Sequence, residues 1–405
     1  MTGEVPGRKV FAVVARPGRH CLESIRAPRV RLVPPEDVRN PHQVVLIPFS
    51  DDVDLPDQLP GLPGELWTGP RAGRAKLVLD ASLEGRPHDP KWTRALERFL
   101  EGAGVPLSQV VYVTQDRGYA QAYADFRREA GLGPGMKVVV FDYWPRAVAR
   151  QHEENGKAEF EARLAAFRAR PKRRPWRFLS LNRILRPTKT LFVLRLIEDG
   201  LFDQGAISLV PVIHRMWKME AAQLSHPAFS DLNPRLAPLL PRLRELAGKT
   251  FRTDKGDPKL GPVLDDPLAE YGETWFSMVT ETEMLDRPSR ITEKPLKPLL
   301  NFHPLLVLGN PGALKLIRGY GFQTFQGFID ESYDDELDPR RRFEMVYDEF
   351  RRLCALEEAE IDRLEAGLEE VLIFNARHGL IDLPKLFRSR YDPALVGDIL
   401  SPATG

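Results

Sequence analysis

The sequence is short of cysteine, of net charge and of long apolar runs, and each shortage excludes something. Only Cys21 and Cys354 occur in 405 residues. Two thiols build neither a disulfide framework nor a cysteine-based zinc site, so a reducing, cytoplasmic setting is expected. Lys and Arg total 58 against 57 Asp and Glu, a net charge of +1. So balanced a chain does not read as one that coats nucleic acid, and nucleic acid is not expected as a partner. No apolar run approaches the roughly 20 residues that span a bilayer. The opening MTGEVPGRKVFAVVARPGRH lacks a signal-peptide core. No transmembrane segment is therefore expected. No P-loop, HExxH, G-x-S-x-G or complete G-x-G-x-x-G stands in a supporting context. The acidic run DDVD (51–54) falls in a Pro-rich loop, so no metal site is expected.

What is present is proline, 36 residues of it, and a rhythm of short apolar runs. A chain this long exceeds one typical core, so two domains are expected. Residues 1–75 read as loop around two strands, KVFAVVA (9–15) and QVVLIPF (43–49). Then come a strand at 75–80, a helix to Gly102, a strand at 109–114, a helix at 118–132 and a strand at 136–144. Strands alternating with helices predict a parallel sheet covered on both faces. A charged helix at 147–170 leads to a second series: strand 176–182, helix 188–202, strand 206–211 and strand 273–284. The fold class is α/β, with domains expected at 1–160 and 170–360. Helices at 361–405 are expected to return to the first domain.

The most informative stretch is 289–334, SRITEKPLKPLLNFHPLLVLGNPGALKLIRGYGFQTFQGFIDESYD. Thr292 is a candidate N-cap that places Glu293 and Lys294 in a first helical turn, where N–H groups favour an anion. A buried strand, 304–309, then meets a Gly-Asn-Pro-Gly turn and a second helix start. TEK, an apolar strand and a Gly-containing turn resemble the C-terminal, nucleotide-sugar-binding domain of α-1,3-fucosyltransferases. The longer block through GFQTF and DESYD resembles bacterial and phage proteins of GT-B glycosyltransferase-like architecture. The close resemblance covers about 289–342. It implies two Rossmann-like domains facing a cleft and metal-independent, inverting transfer from a nucleotide-sugar donor to a glycan or other hydroxyl acceptor. The nucleotide-sugar is a substrate, and no further cofactor is implied. A non-catalytic nucleotide- or glycan-binding protein of the same fold is the alternative.

Each candidate residue has a plain reading beside the functional one. Asn182, Arg183, Arg186 and Lys189 lie where a strand gives way to a helix, the place for a phosphate. The related bacterial proteins usually carry Arg where Lys189 stands. Basic residues at 168–174 read equally as a solvated linker. Glu293 either complements a helix start or, as the resemblance implies, holds the ribose while Lys294 meets the diphosphate and Lys297 assists. Gly309 and Gly312 form an ordinary turn or allow close approach to a ligand. DESYD (330–334) is a ligand-facing patch or a capping loop. The catalytic base is expected from the first domain: Asp80 or Glu84, both at a strand's end, with His88 a weaker candidate.

Overall fold

A computed structural model describes residues 10–14, 21–24, 30–33, 44–48, 59–83, 85, 87–182, 187–209, 230–247 and 269–401. The chain divides into two compact units. One comprises Met1–Arg150 with Lys385–Gly405, the other Gln151–Pro384. Residues 361–384 thus stay with the second unit, and only the last stretch belongs with the first.

The first unit is built on β1 (Val10–Val14), β2 (Val30–Val33), β3 (Val44–Pro48), β4 (Lys76–Ala81), β5 (Val110–Thr114) and β6 (Lys137–Val140). All pair in parallel, in the order β2-β1-β3-β4-β5-β6. Alternate residues of each central strand enter different cores. Leu77 and Leu79 pack with Val110, Tyr112 and the helix residues Leu96 and Leu100. Val78 packs on the other face with Val111, Val113, Leu395 and Ile399. Two covered faces are why these strands read as unbroken apolar runs rather than as alternation. The helix Asp392–Leu400 covers the second face. It is fixed by a buried pair in which Arg146 Nε and Nη2 donate to the two Asp392 oxygens at 2.8 and 2.9 Å.

Two expectations fail here for physical reasons. β2 lies in a region read as loop, because a four-residue edge strand interrupted by Arg31 has too little apolar pattern to show. The expected strand 136–144 stops at Val140, and Tyr143–Gln151 is helix. Its aromatic start, Tyr143 and Trp144, looked like strand because aromatic residues carry strand propensity.

The second unit holds β7 (Phe178–Asn182), β8 (Gly205–Leu209), β9 (Phe276–Thr280) and β10 (Leu305–Leu308). They form a parallel sheet in the order β10-β9-β7-β8. Phe178, Phe192 and Phe276 meet Phe350 edge-to-face, with centroids 4.8–5.8 Å apart. Phe350 belongs to the helix Pro339–Cys354, whose start Asp338 caps by accepting Arg341 N–H at 2.7 Å. A second helix, Glu358–Arg377, follows. The basic run at 168–174 is not uniformly solvated. Arg170 and Arg174 both pair with Glu365, and Arg174 lies 4.2 Å over Trp275. Lys172 and Arg173 are exposed. Together, the two units are Rossmann-like parallel sheets with helices on their faces.

His303 is buried at the amino edge of the second sheet. Its Nε2–H donates to Thr274 O at 2.9 Å, and Nδ1 accepts from Ser277 Oγ at 2.7 Å. Burial holds its pKa down to about 3, against the Thr274 hydrogen bond and with Arg174 and Arg170 pushing the same way. An unfolded histidine titrates at about 6.5. Between those values the unfolded chain carries a proton that the folded chain refuses, so stability falls as pH drops through that window. We expect the His303 ring to remain the neutral Nε2–H tautomer at pH 5 by 15N NMR. We also expect His303→Gln to lose less thermal stability than the parent between pH 6.5 and 4. Cationic ring shifts at pH 5 would disprove this.

Candidate functional site

The carboxyl edge of the second sheet gathers most of the described candidate residues. There β7 ends at Asn182, β9 at Thr280 and β10 at Leu308. In parallel α/β sheets, ligands bind beyond that edge. Thr280 Oγ1 donates to Asn182 Oδ1 at 2.6 Å, and Asn182 Nδ2 donates to Ser180 Oγ at 2.9 Å. Asn182 therefore locks β7 to β9 and is buried.

The next residue, Glu281, is the centre of the cluster. Thr292 N–H donates to its Oε1 at 2.9 Å. Thr292 Oγ1 lies 3.0 and 2.8 Å from its two oxygens, and Lys294 Nζ lies 3.2 Å from Oε2. The Lys294 ammonium also reaches Thr282 Oγ1 at 3.1 Å and Thr292 Oγ1 at 3.0 Å. Sequence reasoning missed Glu281 and Thr282. The one available signal was a run of alternating Thr and Glu, 280–283, at the end of an apolar strand.

The expected helix start at Thr292 is displaced. The helix is Leu296–Leu300, and Leu296 and Lys297 N–H groups donate to Glu293 O at 3.1 and 3.2 Å. In a helix capped at Thr292, Pro298 would be the sixth helical residue and would lack the N–H owed to Lys294 O. In the observed five-residue helix it falls in the first turn, where no N–H is needed, and the chain turns over 293–295 instead. So short a helix sums few peptide dipoles, and side-chain charge governs the site instead. Burial pushes the Glu293 carboxyl up, but Lys294, Lys297 and Lys189 outweigh it and hold it below the ordinary range. Burial pushes the Lys294 ammonium down, but Glu281 and Glu293 outweigh that and hold it above the ordinary lysine range. Lys189 is buried in the first turn of the helix Pro187–Glu198. Arg183 and Arg186 lie outside the described residues.

The second expected anion site, at the Gly309–Gly312 turn, is filled by the protein itself. Gly312 adopts φ +75°, which favours glycine. Beyond it, Asp334 accepts Leu314 N–H at 2.9 Å and Lys315 N–H at 3.0 Å. Those are the orphan donors of the helix Ala313–Gly319, and a protein carboxylate answers them. DESYD is thus a capping segment, although the helix it caps precedes it in the chain. Tyr333 is buried within it, and its hydroxyl accepts Val307 N–H at 3.2 Å. Gly309 serves a close approach: a Cβ there would lie 3.0 Å from Glu281 Cβ and Cγ.

The first unit holds the candidate bases. Asp80 is buried at the end of β4, accepting Ser82 N–H at 2.9 Å on Oδ1 and Cys21 N–H on Oδ2. It fastens the chain after β1 to the chain after β4. Leu83 O accepts from Gln115 Nε2 at 2.9 Å and from Trp144 Nε1 at 3.0 Å, which anchors the loop. Glu84 lies outside the described residues. His88 packs on Tyr119 and Phe126 at 5.2 and 5.4 Å, and burial lowers its pKa. Arg117 donates to both oxygens of Asp142 at 2.7 and 2.6 Å. Among the described residues, no group of three or more His, Cys, Asp or Glu could hold a metal ion. No described helix is long and apolar enough to cross a membrane.

The class these observations define is a two-unit α/β protein with a charged cluster at the carboxyl edge of its second sheet. No family model matches the chain, and no curated protein matches it either. Solved structures similar in fold include a trehalose-6-phosphate protein from E. coli bound with UDP-2-fluoro glucose. It is 12% identical, with a TM-score of 0.41, over 88% of this chain and 73% of that one. An alpha,alpha-trehalose 6-phosphate synthase from Burkholderia multivorans is 12% identical, with a TM-score of 0.43, over 89% and 72%. The UDP-forming alpha,alpha-trehalose-phosphate synthase from Burkholderia vietnamiensis has the same identity and TM-score over 89% and 75%. Likeness at that level carries nothing about residues or chemistry.

The Asp80 contacts generate a prediction about stability. Each backbone N–H bonded to a carboxylate contributes about 1.5–3 kcal/mol, and an amide oxygen answers them less well. Asp80→Asn should lower the unfolding free energy by about 2 kcal/mol, read from a urea titration. An unchanged midpoint means that the carboxylate does not act as a fastener.

Proposed function

We propose that this protein is a glycosyltransferase that moves a sugar from a nucleotide-activated donor to a hydroxyl acceptor, with inversion and without a metal. The observation that carries this reading is the cluster at the carboxyl edge of the second sheet. There Glu293, on a turn resembling the TEK of α-1,3-fucosyltransferases, is held ionised by Lys294, Lys297 and Lys189. An ionised carboxylate accepts hydrogen bonds from two neighbouring hydroxyls, as a ribose presents them. Fixed ammonium groups beside it suit a diphosphate and stabilise the charge that develops on the leaving group. The donor-site residues we propose are Glu293, Lys297, Lys189, Arg183 and Arg186, with Lys294 lending its charge beside Glu293 and Asn182, Gly309 and Gly312 shaping the edge. The GT-B architecture, an acceptor side in the first unit and a cytoplasmic location belong to the same proposal.

Glu84 is the catalytic base in this reading, because Asp80 is spent on two backbone N–H groups. That same observation favours a second reading, a non-catalytic nucleotide- or glycan-binding protein. Turnover separates the two. Glu84→Gln should lower transfer by roughly 100- to 10,000-fold while donor affinity holds. Transfer at the parent rate places the base elsewhere. A parent that binds donors but transfers none of the sugar favours the binding protein.

The donor site is tested by calorimetry with UDP, GDP, ADP and CDP in the presence of EDTA. Glu293→Ala, which removes a charge-assisted hydrogen bond, and Lys294→Ala, which removes the charge beside it, should each weaken the best ligand by about 1.5–3 kcal/mol. Equal affinity in both variants and the parent rules the assignment out. Binding that requires a divalent ion rules out metal independence.

A further inference from the structure

We propose that Glu281 is a positioning residue of the donor site: it sets the turn that carries Glu293 and acts through Lys294 without touching the ligand. The inference rests on the donor-site reading above. Glu281 is buried, and its carboxylate joins three chain segments at one point. It stands at the end of β9, it receives Thr292 N–H, Thr292 Oγ1 and Lys294 Nζ, and Gly309 after β10 packs against its side chain. A buried carboxylate is tolerated when an opposite charge and several donors answer it. Here all of those donors come from the two residues that flank Glu293.

Each of the three Lys294 N–H groups has an acceptor within the protein, on Glu281, Thr282 and Thr292. Lys294 therefore orients the turn and lends its charge to Glu293 from a fixed point. The loop between Glu281 and Thr292 is braced independently. Arg290 Nη2 donates to Glu283 at 3.0 Å, and Leu285 N–H donates to Asn310 Oδ1 at 2.8 Å. Arg342, buried, donates to Gly309 O at 2.9 Å and to Leu285 O. With the loop so held, removing the Glu281 charge should disturb the turn at 292–294 before it disturbs the fold.

Glu281→Gln, Lys294→Met and the double variant test this, with affinity for the best-bound nucleoside diphosphate and thermal midpoint read side by side. If Glu281 and Lys294 act as one unit, each single variant loses about tenfold in affinity, and the double variant loses no more than either. The double variant removes both charges and so avoids an unpaired buried ion should a single variant fail to fold. A folded Glu281→Gln that binds as tightly as the parent overturns the proposal. So does a double variant whose losses multiply to about a hundredfold, because the residues then act independently. A parent that binds none of the four nucleoside diphosphates overturns the donor-site reading itself. The midpoints of the same variants still report whether the two charges are coupled.

Discussion

The second unit's edge depends on the need to answer a buried negative charge. Glu281 has left water, and a carboxylate there must find donors or take a proton. It finds them in Thr292 and Lys294, eleven and thirteen residues further along, and this closes the loop between them. The closure places Glu293 among three ammonium groups and requires a residue without a side chain at Gly309. One desolvated carboxylate thus couples strand end, turn and neighbouring strand end. The site is made by side-chain charge on well-braced turns rather than by a helix dipole.

The chain was legible where local pattern and long-range packing agree. The central parallel strands are covered on both faces, so their apolar runs are unbroken and name themselves, as with 75–80 and 109–114. At the Pro339 helix start the cap is local, since Asp338 accepts from Arg341 only three residues away. What was hidden depends on distant partners. The fastening role of Asp80 requires Cys21, and the capping role of Asp334 reaches back twenty residues to a helix already passed. No window of sequence contains either pair. Glu281 was hidden for another reason. Polar residues at the end of an apolar strand look like the strand simply running out.

At TEK the expected helix geometry fails. The helix expected to begin at Thr292 begins at Leu296, which puts Pro298 in the first turn, where no N–H is needed. Thr292 still serves Lys294 N–H, at 3.3 Å, but its hydroxyl is committed mainly to Glu281. Positive charge at this edge therefore comes from lysine side chains rather than from backbone N–H groups.

The two helix starts of the 289–334 stretch end up with different fates, and the difference has a physical cause. After β10, Asp334 supplies the negative charge that the helix Ala313–Gly319 would otherwise seek from solvent or ligand. Burial raises the Asp334 pKa even so, while its two backbone donors pull it back. The outcome is a closed arrangement in which the Leu314 and Lys315 N–H groups are both taken. After β9, the nearby positive charge exceeds the nearby negative charge. Glu281 and Glu293 face Lys189, Lys294 and Lys297, so among these described residues the local balance is one positive charge. That positive surplus lies on the β9 side, where an anion would gain from it. Of the two similar turns, the one after β10 is answered by Asp334, and the one after β9 keeps a surplus of positive charge.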